Sequence, residues 1–352
     1  MKPLENIPLA RHCTMGVGGS ARHFLEATDE RAVHEAVEWA ERRDLLLHVL
    51  GGGSNLVVAD EGVEGLVLKI GLRGVTERAV GEVVEVTAAA GEPWDDLVRR
   101  AVERGWAGLE CLSGIPGLVG ATPIQNVGAY GQEVSETVTG VRALDRRAGQ
   151  VVALSPRECG FGYRDSVFKS RMPGRYIVLA VSYRLVLGGA PAAGRTDLVE
   201  DLERRGIRSP SLVDVRRSVL HIRRSKSMVL DAGDPNRRSC GSFFVNPIVT
   251  AAELERIQDR ARGESPMPRW PEPGGRVKLS AAWLIERAGF ERGHTDGPVG
   301  LSSRHTLAIV CHDGARTSDV VTFARRVRER VEERFGVLLV PEPVFWGPLS
   351  LD

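Results

Sequence analysis

Most short motifs that identify common enzyme classes are missing from this sequence of 352 residues. No GxGxxG segment opens a helix, so the dinucleotide fingerprint of a Rossmann fold is absent. No Gly-Lys pair occurs, which excludes a Walker P-loop, and neither HExxH nor GxSxG is present. The eight histidines do not cluster at the spacing of metal ligands, so we expect no metal.

The chain also lacks an excess of charge, a long apolar run and paired cysteines. Its net charge is +1, so no overall field favours nucleic acid or a membrane surface. It has no apolar run of about 18 residues and no apolar signal core. The cysteine number is odd and no CxxC pair occurs; the five are Cys13, Cys111, Cys159, Cys240 and Cys311. We expect reduced thiols in a cytoplasmic monomer, with neither nucleic acid nor a membrane as partner.

Alternating helix and strand patterns indicate a mixed protein of two or three domains, since the length exceeds the roughly 250–300 residues at which one core stops growing. Helical spacing predicts a helix in "DERAVHEAVEWAERR" and another in "DVVTFARRVRERVEERF", capped by Ser318 and stopped by Gly336. "LLLHVL" and "EVVEVTAAAGE" have the pattern of strands. "LVPEPVFWG" predicts an apolar strand that contains Glu342.

Two glycine-rich segments are the most unusual features present. "LSGIPGLVGATPIQNVGAYG", residues 112–131, has five glycines, two prolines and no charged side chain. It is too broken for a helix and too apolar for a flexible linker, so we predict an ordered loop. "GGGSN", residues 51–55, follows a predicted strand. Such loops can hold a diphosphate with backbone N–H groups, or they can be tight turns, and composition leaves both open.

Three further segments carry candidate polar groups. "GYRDSVFK" holds Tyr163, Arg164, Asp165 and Lys169, which could equally form a surface ion pair. "CGSFFVNP" contains Ser242, which could be a turn residue. Glu342 lies between two prolines and is either an exposed edge residue or a functional carboxylate.

Together these segments resemble the UDP-N-acetylenolpyruvoylglucosamine reductases of bacterial peptidoglycan synthesis. The matching stretches, in family order, are "GGGSN", "GIPGLVGATPIQNVGAYGQEV", "GYRDSVFK", "RRSK", "GSFFVNP", "VKLSAAWLIERAG" and "VPEPVFWG". They run across almost the whole chain. The resemblance is to the variety with a YRDS-type segment and an insertion before the C-terminal domain.

The resemblance implies an α+β fold: a two-subdomain FAD-binding fold of the vanillyl-alcohol oxidase type, followed by a C-terminal α+β substrate domain. We expect subdomain 1 over residues 1–72 and subdomain 2 over 73–217, with the inserted loop near 186–215. The substrate domain then covers 218–352, and its last strand could return to subdomain 1.

The resemblance also implies non-covalent FAD and NADPH as cofactors. Covalent linkage needs a placed His or Cys, and neither occurs in the two glycine-rich loops. The implied FAD-binding residues are Gly51, Gly52, Gly53, Ser54, Asn55, Gly114, Ile115, Pro116, Gly117, Gly120, Ala121, Thr122, Gln125, Asn126, Gly128, Ala129, Tyr130 and Arg223.

The implied reaction reduces UDP-N-acetylglucosamine enolpyruvate to UDP-N-acetylmuramate. Arg164 and Glu342, with Glu342 protonated or sharing a proton, are implied to stabilise negative charge on the substrate, and Ser242 to donate a proton. The implied substrate or nicotinamide contacts are Tyr163, Lys226, Asn246 and His305.

The chain departs from the family at the inserted loop, where the variety usually carries a tyrosine over the substrate diphosphate. "AAGRTDL" has Arg195 instead, and the last tyrosine of the chain is Tyr183. A guanidinium can bind diphosphate directly. The departure at Arg195 also motivates a second hypothesis. In it the chain is a flavin oxidoreductase of the same fold that acts on a different nucleotide sugar or enolpyruvyl compound. A third, a non-enzymatic nucleotide-sugar binder, conflicts with the presence of Arg164, Ser242 and Glu342.

Overall fold

The computed structural model of the chain describes residues 2–192 and 196–351, and side chains are described for all of these except Thr196. The predicted lid residue Arg195 lies outside the described residues. The chain divides into two compact units. Unit 1 comprises residues 1–6, 22–52 and 64–230, and unit 2 comprises residues 7–21, 53–63 and 231–352.

The α-helices are numbered α1 to α8 along the described chain. They are α1 Glu30–Glu41, α2 Trp94–Glu103, α3 Pro156–Cys159, α4 Thr196–Arg204, α5 Leu212–Ser225, α6 Ala251–Arg260, α7 Ala281–Arg287 and α8 Thr317–Phe335. A short π-helix covers Val167–Arg171. None of the helices in residues 2–192 and 196–351 is both long and apolar enough to cross a membrane.

The strands are numbered β1 to β20. They are β1 Leu4–Pro8, β2 Ser20–Ala27, β3 Leu47–Leu50, β4 Leu56–Val58, β5 Val63–Ile70, β6 Val75–Val80, β7 Val83–Ala89, β8 Trp106–Ala107, β9 Gly128–Ala129, β10 Gln132–Glu133, β11 Val138–Asp145, β12 Gln150–Leu154, β13 Tyr176–Leu187, β14 Ile248–Val249, β15 Arg269–Glu272, β16 Arg276–Leu279, β17 Thr295–Asp296, β18 Val299–Leu301, β19 Ile309–Cys311 and β20 Val344–Trp346.

Unit 1 is built on two sheets that share one apolar core. A four-stranded sheet has the order β1-β2-β5-β3, and a larger antiparallel sheet has the order β12-β11-β13-β7-β6, with β8 also paired to β13. The apolar face of α1, which includes Val33 and Ala36, and the fully buried Trp94 of α2 pack into this core. The alternating pattern of β7 places Val84, Val86 and Ala88 inside.

Unit 2 has its own core beneath α8. Three-stranded sheets with the orders β14-β16-β15 and β17-β18-β19 surround it, and β20 pairs in parallel with β4. Buried side chains of α8, among them Val327 and Phe335, pack against Trp283 and Leu284 of α7. Separate cores of this size account for the division into two units.

Two local predictions were wrong. Helix α8 begins at Thr317 rather than after Ser318, because Asp60 accepts the N–H groups of Thr317 (2.8 Å) and Ser318 (3.0 Å) and so caps the helix from a distant segment. Glu342 is not within a strand. Strand β20 begins only at Val344, after Pro343, which has no N–H group to donate to a neighbouring strand.

The units and the expected domains partition the chain differently. Residues 7–21 and 53–63 belong to unit 2 although they lie inside the expected subdomain 1. The last strand β20 pairs with β4, which also lies within residues 1–72. Contacts within unit 1 do not separate two subdomains, so the division at 72 and 217 stays a prediction.

Candidate functional site

The two glycine-rich segments meet within unit 1. A Cβ atom on Gly52 would lie 2.9 Å from the Cα of Gly117, and one on Gly51 would lie 3.8 Å from the Cβ of Ala121. The turn after β3 therefore lies directly against the middle of the 112–131 loop. This contact is the arrangement expected if both loops border one ligand.

The structure separates glycines needed for packing from one that packing does not require. At Gly120 a Cβ would lie 2.5 Å from the Cβ of Ala90, and at Gly53, in unit 2, it would lie 1.8 Å from the carbonyl oxygen of His12. Contacts this short are not tolerated, so these glycines serve the fold. Gly51 meets nothing closer than 3.8 Å. A Cβ at Gly51 would make only an ordinary van der Waals contact with Ala121.

A partly buried ionic contact fixes the start of the 112–131 loop. Asp95, in the first turn of α2, accepts the N–H of Gly114 at 2.6 Å and both terminal nitrogens of Arg216 at 2.7 and 2.8 Å. Burial raises the pKa of Asp95, but the hydrogen bonds from Arg216 and Gly114 outweigh it, so the pKa lies below its ordinary value. Helix α5 thus holds the loop against α2.

Three of the predicted site residues adopt left-handed backbone conformations that non-glycine residues rarely occupy. Asn126, Tyr130 and Arg164 have φ of 45°, 52° and 53°. Such strain costs about 1–3 kcal/mol per residue and clusters at functional sites. The sequence carried no signal for it, because Tyr and Arg do not favour this region.

Asn126 joins three segments of unit 1. Its amide nitrogen donates to Glu133 Oε2 (2.7 Å) and to the carbonyl of Gly162 (3.0 Å), and its oxygen accepts the N–H of Ser135. Both amide hydrogens are used within the protein. Asn126 therefore links the 112–131 loop to the turn that carries Tyr163 and Arg164.

The side chain of Arg164 contacts the 112–131 loop. Its Nη2 donates to the carbonyl oxygen of Gly128 at 2.8 Å, and its guanidinium lies over the ring of Tyr163, 5.5 Å from the centroid. Lys169 donates from Nζ to the carbonyl of Arg164 at 3.1 Å. Both side chains, Tyr163 and Arg164, are half-buried. The left-handed φ of Arg164 turns its side chain back toward the loop.

Arg223, near the end of α5, lies beside Tyr130 and Gly114. Its Nη2 donates to the carbonyl of Met228 (2.6 Å), whereas its buried Nε has no hydrogen-bond partner among the described residues. Burial lowers the pKa of Arg223, and the positive charge of Arg164 adds to this effect. Burial raises the pKa of Tyr130 to about 12, so the phenol is neutral. Two predicted site arginines thus share one positive region.

The inserted segment packs beside this region. Lys226, the C-cap of α5, donates from Nζ to Asp197 Oδ2 of α4 at 3.1 Å. Leu198 and Leu202 of α4 pack with Cys111 and Tyr130 in a small cluster. The structure therefore brings Lys226 and Tyr130 together with the insertion.

The remaining predicted loop residues differ in burial. Thr122 is 3% exposed and bonds the carbonyl of Val119 and the hydroxyl of Tyr183. The half-buried ones, which leave atoms at the surface of the loop, are Ile115, Pro116, Gly117, Ala121, Gln125, Gly128 and Ala129.

In unit 2, backbone hydrogen bonds place Ser242 and Glu342 on adjoining segments. The N–H of Glu342 donates to the carbonyl of Phe243 (2.9 Å), and that of Phe243 donates to Leu307 (2.7 Å). Both Ser242 and Glu342 are half-buried. Burial raises the pKa of Cys240, and the nearby Glu342 carboxylate raises it further.

Asn55 ties the "GGGSN" turn to the Glu342 segment within unit 2. Its Nδ2 donates to the carbonyl of Glu342 at 3.2 Å, and its own carbonyl accepts the N–H of Val344 at 3.0 Å. Ser54 beside it is half-buried. A residue predicted to bind cofactor thus also positions a predicted catalytic one.

Asn246 and His305 have structural contacts in the same unit. Asn246 Oδ1 accepts the N–H of Ala281 at 3.0 Å, at the start of α7. The carbonyl of His305 accepts the N–H of Ala308 at 3.1 Å, and the His305 side chain is half-buried.

Thr14 is a candidate that sequence reasoning missed. Its N–H donates to the carbonyl of Gly53 at 3.0 Å, and its buried Oγ1 has no hydrogen-bond partner among the described residues. A hydroxyl left in this state beside a glycine-rich turn fits a polar ligand atom. An isolated threonine gives no sequence signal.

Comparison with known proteins identifies the family of this chain. The model of an FAD binding domain matches residues 21–155, and that of the UDP-N-acetylenolpyruvoylglucosamine reductase C-terminal domain matches residues 234–346. The reductase of that name from Thermobifida fusca is 48% identical over 350 residues, covering 97% of this chain and 98% of the relative. The Salinispora arenicola reductase is 47% identical, covering 96% and 93%.

This chain belongs to the UDP-N-acetylenolpyruvoylglucosamine reductase family. A solved structure of the reductase from Thermus caldophilus matches with a TM-score of 0.66 at 26% identity, covering 99% of this chain and 100% of that one. The resemblance stated from the motifs and the predicted α+β class, an FAD-binding domain followed by the family's C-terminal domain, are confirmed.

The residues of unit 1 fit the FAD of this reductase family. The unpartnered Nε of Arg223 supplies a donor, and the contact between the two glycine-rich loops brings two backbone segments together that can border a diphosphate-linked flavin. The predicted need for FAD is confirmed by the family match.

Proposed function

We propose that the chain reduces UDP-N-acetylenolpyruvoylglucosamine to UDP-N-acetylmuramate, with NADPH as the reductant. The observation that carries the proposal is the 48% identity to a reductase of that name over nearly the full length of both chains. The contact between Gly52 and Gly117 supports it, because that contact brings the two flavin loops together.

FAD, when bound, supplies the hydride to the enol ether of the substrate after receiving it from NADPH. The chain has to bind and orient both partners and to deliver a proton. In the proposal Ser242 donates that proton to the carbon next to the substrate carboxylate. A serine hydroxyl is a weak acid, but the carbon that receives the proton is strongly basic, so close positioning suffices.

In the proposal Arg164 and Glu342, with Glu342 protonated or sharing a proton, hold the substrate carboxylate, where negative charge develops during hydride addition. Arg164 is suited to this role because its hydrogen bond to Gly128 and its left-handed backbone fix the guanidinium before substrate arrives. Asn55 fixes the backbone of Glu342 in the same way. Tyr163, Lys226, Asn246 and His305 are proposed to contact substrate or nicotinamide, and Arg195 the substrate diphosphate.

We further propose that NADPH and the sugar nucleotide use the same space in turn, so that the kinetics are ping-pong. The product would enter peptidoglycan synthesis in the cytoplasm and so support cell shape and division. The expected state is a monomer that needs neither membrane nor nucleic acid.

The decisive assay measures NADPH oxidation by the FAD-loaded chain with and without UDP-N-acetylglucosamine enolpyruvate. Oxidation that requires this compound supports the proposal. Flavin reduction by NADPH without subsequent reoxidation by this compound would instead favour a different enolpyruvyl or nucleotide-sugar substrate. A colourless purified protein that binds no flavin would exclude both.

Ser242→Ala separates the proton-donor role from a turn role. It should leave flavin reduction by NADPH intact and slow reoxidation by substrate by about 10²–10⁴-fold, as expected for loss of a general acid. Stopped-flow absorbance in the flavin band follows the two half-reactions separately. Ser209→Ala, at an exposed position of unit 1, is the control. Reoxidation of the Ser242 variant at the wild-type rate would refute the role, whereas partial recovery with Ser242→Cys would support it.

A further inference from the structure

Unit 1 also has a positively charged cleft that is lined by none of the residues predicted to bind cofactor or substrate. It has a volume of about 560 Å³ and is lined by Glu41, Arg146, Arg147, Arg171 and Arg175 together with residues 172–174. Glu41 ends α1, Arg146 and Arg147 form the turn between β11 and β12, and Arg171 ends the π-helix. We call this site the arginine cleft.

Hydrogen bonds hold three of the four guanidinium groups in place. Arg146 donates from Nη1 to the carbonyl of Gly174 at 2.9 Å, and Arg171 donates from Nη2 to the carbonyl of Gly160 at 3.0 Å. Arg175 binds Asp145 with Nη2 at 2.6 Å. Groups held in this way lose little entropy when a ligand binds.

Gly160 lies close to one of these groups. It has φ of 55°, and a Cβ there would lie 1.9 Å from Nη2 of Arg171. A side chain at this position would displace the guanidinium. Gly160 is also the left-handed C-cap of α3, so the Arg171 guanidinium lies against the end of that helix.

The positive charge of the cleft is not balanced by its own walls. Arg175 pairs with Asp145, which leaves three arginines and one carboxylate, that of Glu41, along the cleft. Arg146 and Arg171 contact backbone carbonyls only, and the described contacts assign no carboxylate to Arg147. The Nε of Arg146 is buried without a hydrogen-bond partner among the described residues. Unopposed guanidinium groups repel one another, and an anionic ligand would relieve that cost.

We propose that the arginine cleft binds a small molecule that carries a diphosphate group. The planar fork of arginine matches phosphate oxygens in pairs, and several such forks converge here. The volume of about 560 Å³ lies within the roughly 300–1,000 Å³ range of small-molecule sites and accommodates a nucleoside diphosphate. Glu41 then lies where it can accept a hydrogen bond from a hydroxyl of the ligand.

The test measures binding of inorganic pyrophosphate to the FAD-loaded full chain by calorimetry. The cleft variant is Arg147→Ala combined with Arg171→Ala. The control combines Arg22→Ala and Arg31→Ala, two exposed arginines of unit 1 that each pair with one glutamate. Wild type and control should bind alike, and the cleft variant should bind with a Kd raised about tenfold for each arginine removed.

Equal affinity of the cleft variant and the control would place pyrophosphate outside the arginine cleft and would overturn the proposal. So would the absence of measurable binding to the wild-type protein. ADP distinguishes the form of the ligand: tighter binding than pyrophosphate supports a nucleoside diphosphate, and equal binding supports a bare diphosphate. Binding to phosphatidylglycerol vesicles without binding of pyrophosphate would overturn the small-molecule assignment.

Arg171 contacts the backbone, so the double variant could lose folded structure. The melting temperature of each variant is therefore measured first. If the double variant unfolds, Arg147→Glu alone replaces it. This change reverses a charge at an exposed position and should weaken pyrophosphate binding at least as strongly as loss of one arginine. Unchanged binding in this single variant would also overturn the proposal.

Discussion

Asp95 offers a direct test of how the 112–131 loop is held, because its carboxylate accepts hydrogen bonds from both Gly114 and Arg216. Asp95→Asn keeps the shape of the side chain but removes its charge. The amide can still accept one hydrogen bond through its oxygen, but its NH₂ group faces a guanidinium that also donates. We therefore expect the variant to lose either the hydrogen bond from Gly114 or the contact with Arg216.

The magnitude follows from the burial of the two partners. Removing one member of a fully buried ion pair costs about 3–5 kcal/mol, whereas an exposed pair contributes about 0–1 kcal/mol. The Arg216 side chain is 13% exposed and that of Asp95 is 39% exposed, so the pair lies between these limits. We expect a loss of about 2 kcal/mol in the free energy of unfolding, which corresponds to roughly 4–8 °C in melting temperature.

The FAD Kd should rise as well, by about tenfold, because Gly114 lies near the start of the 112–131 loop, which we propose borders the cofactor. Thermal melting and flavin fluorescence measure the two effects. Asp96→Asn is the matched control, since Asp96 is the next residue of α2 and contacts Arg99 at 3.4 Å on the exposed surface. A variant at Asp95 that melts and binds FAD like the Asp96 control would refute the anchoring role.

The pH dependence gives a second readout for the same contact. The pKa of Asp95 is lower in the folded protein than its ordinary value of about 3.9. Its contribution to stability is therefore present above that ordinary value and is lost as pH falls through the folded pKa. The difference in melting temperature between wild type and Asp95→Asn should shrink below about pH 4. A difference that stays constant down to pH 3 would contradict this account.

Two further predictions concern backbone room and thiol reactivity. Gly53→Ala should yield little folded protein, because its Cβ would meet the His12 carbonyl at 1.8 Å, whereas Gly51→Ala should fold normally and weaken FAD binding about tenfold. Equal yields for the two variants would contradict this. Burial raises the pKa of four thiols to about 12, so Ellman's reagent at pH 8 should label none of them before unfolding and all after it; they are Cys13, Cys111, Cys159 and Cys311. Rapid labelling of the native protein would show that these cysteines are accessible.

Periodic segments were predictable because one face of each element is buried. The pattern in residues 29–43 predicts α1, and the structure has Glu30–Glu41 with Asp29 as the cap. Helix α8 was predicted with the wrong start, since its cap, Asp60, is more than 250 residues away in sequence. Caps supplied from a distance leave no local signal.

For the candidate site, glycine spacing indicated the two loops but not the contacts that hold them. Asp95 and Arg216 look like ordinary helix surface charges in sequence, and only the fold brings them to Gly114. The same holds for the left-handed backbone of Tyr130 and Arg164, which depends on tertiary contacts rather than residue preference. Sequence reasoning identifies the residues that touch a ligand more readily than those that support them.

The parallel pairing of β4 with β20 has a consequence for synthesis on the ribosome. Strand β4 is fully buried, yet its partner Val344–Trp346 emerges some 280 residues later. At translation rates of about 5–20 residues per second, β4 waits roughly 15–55 s before its partner exists. During that time an apolar strand edge stays open to other chains, so we expect nascent chains to depend on chaperones until the C-terminal segment is released.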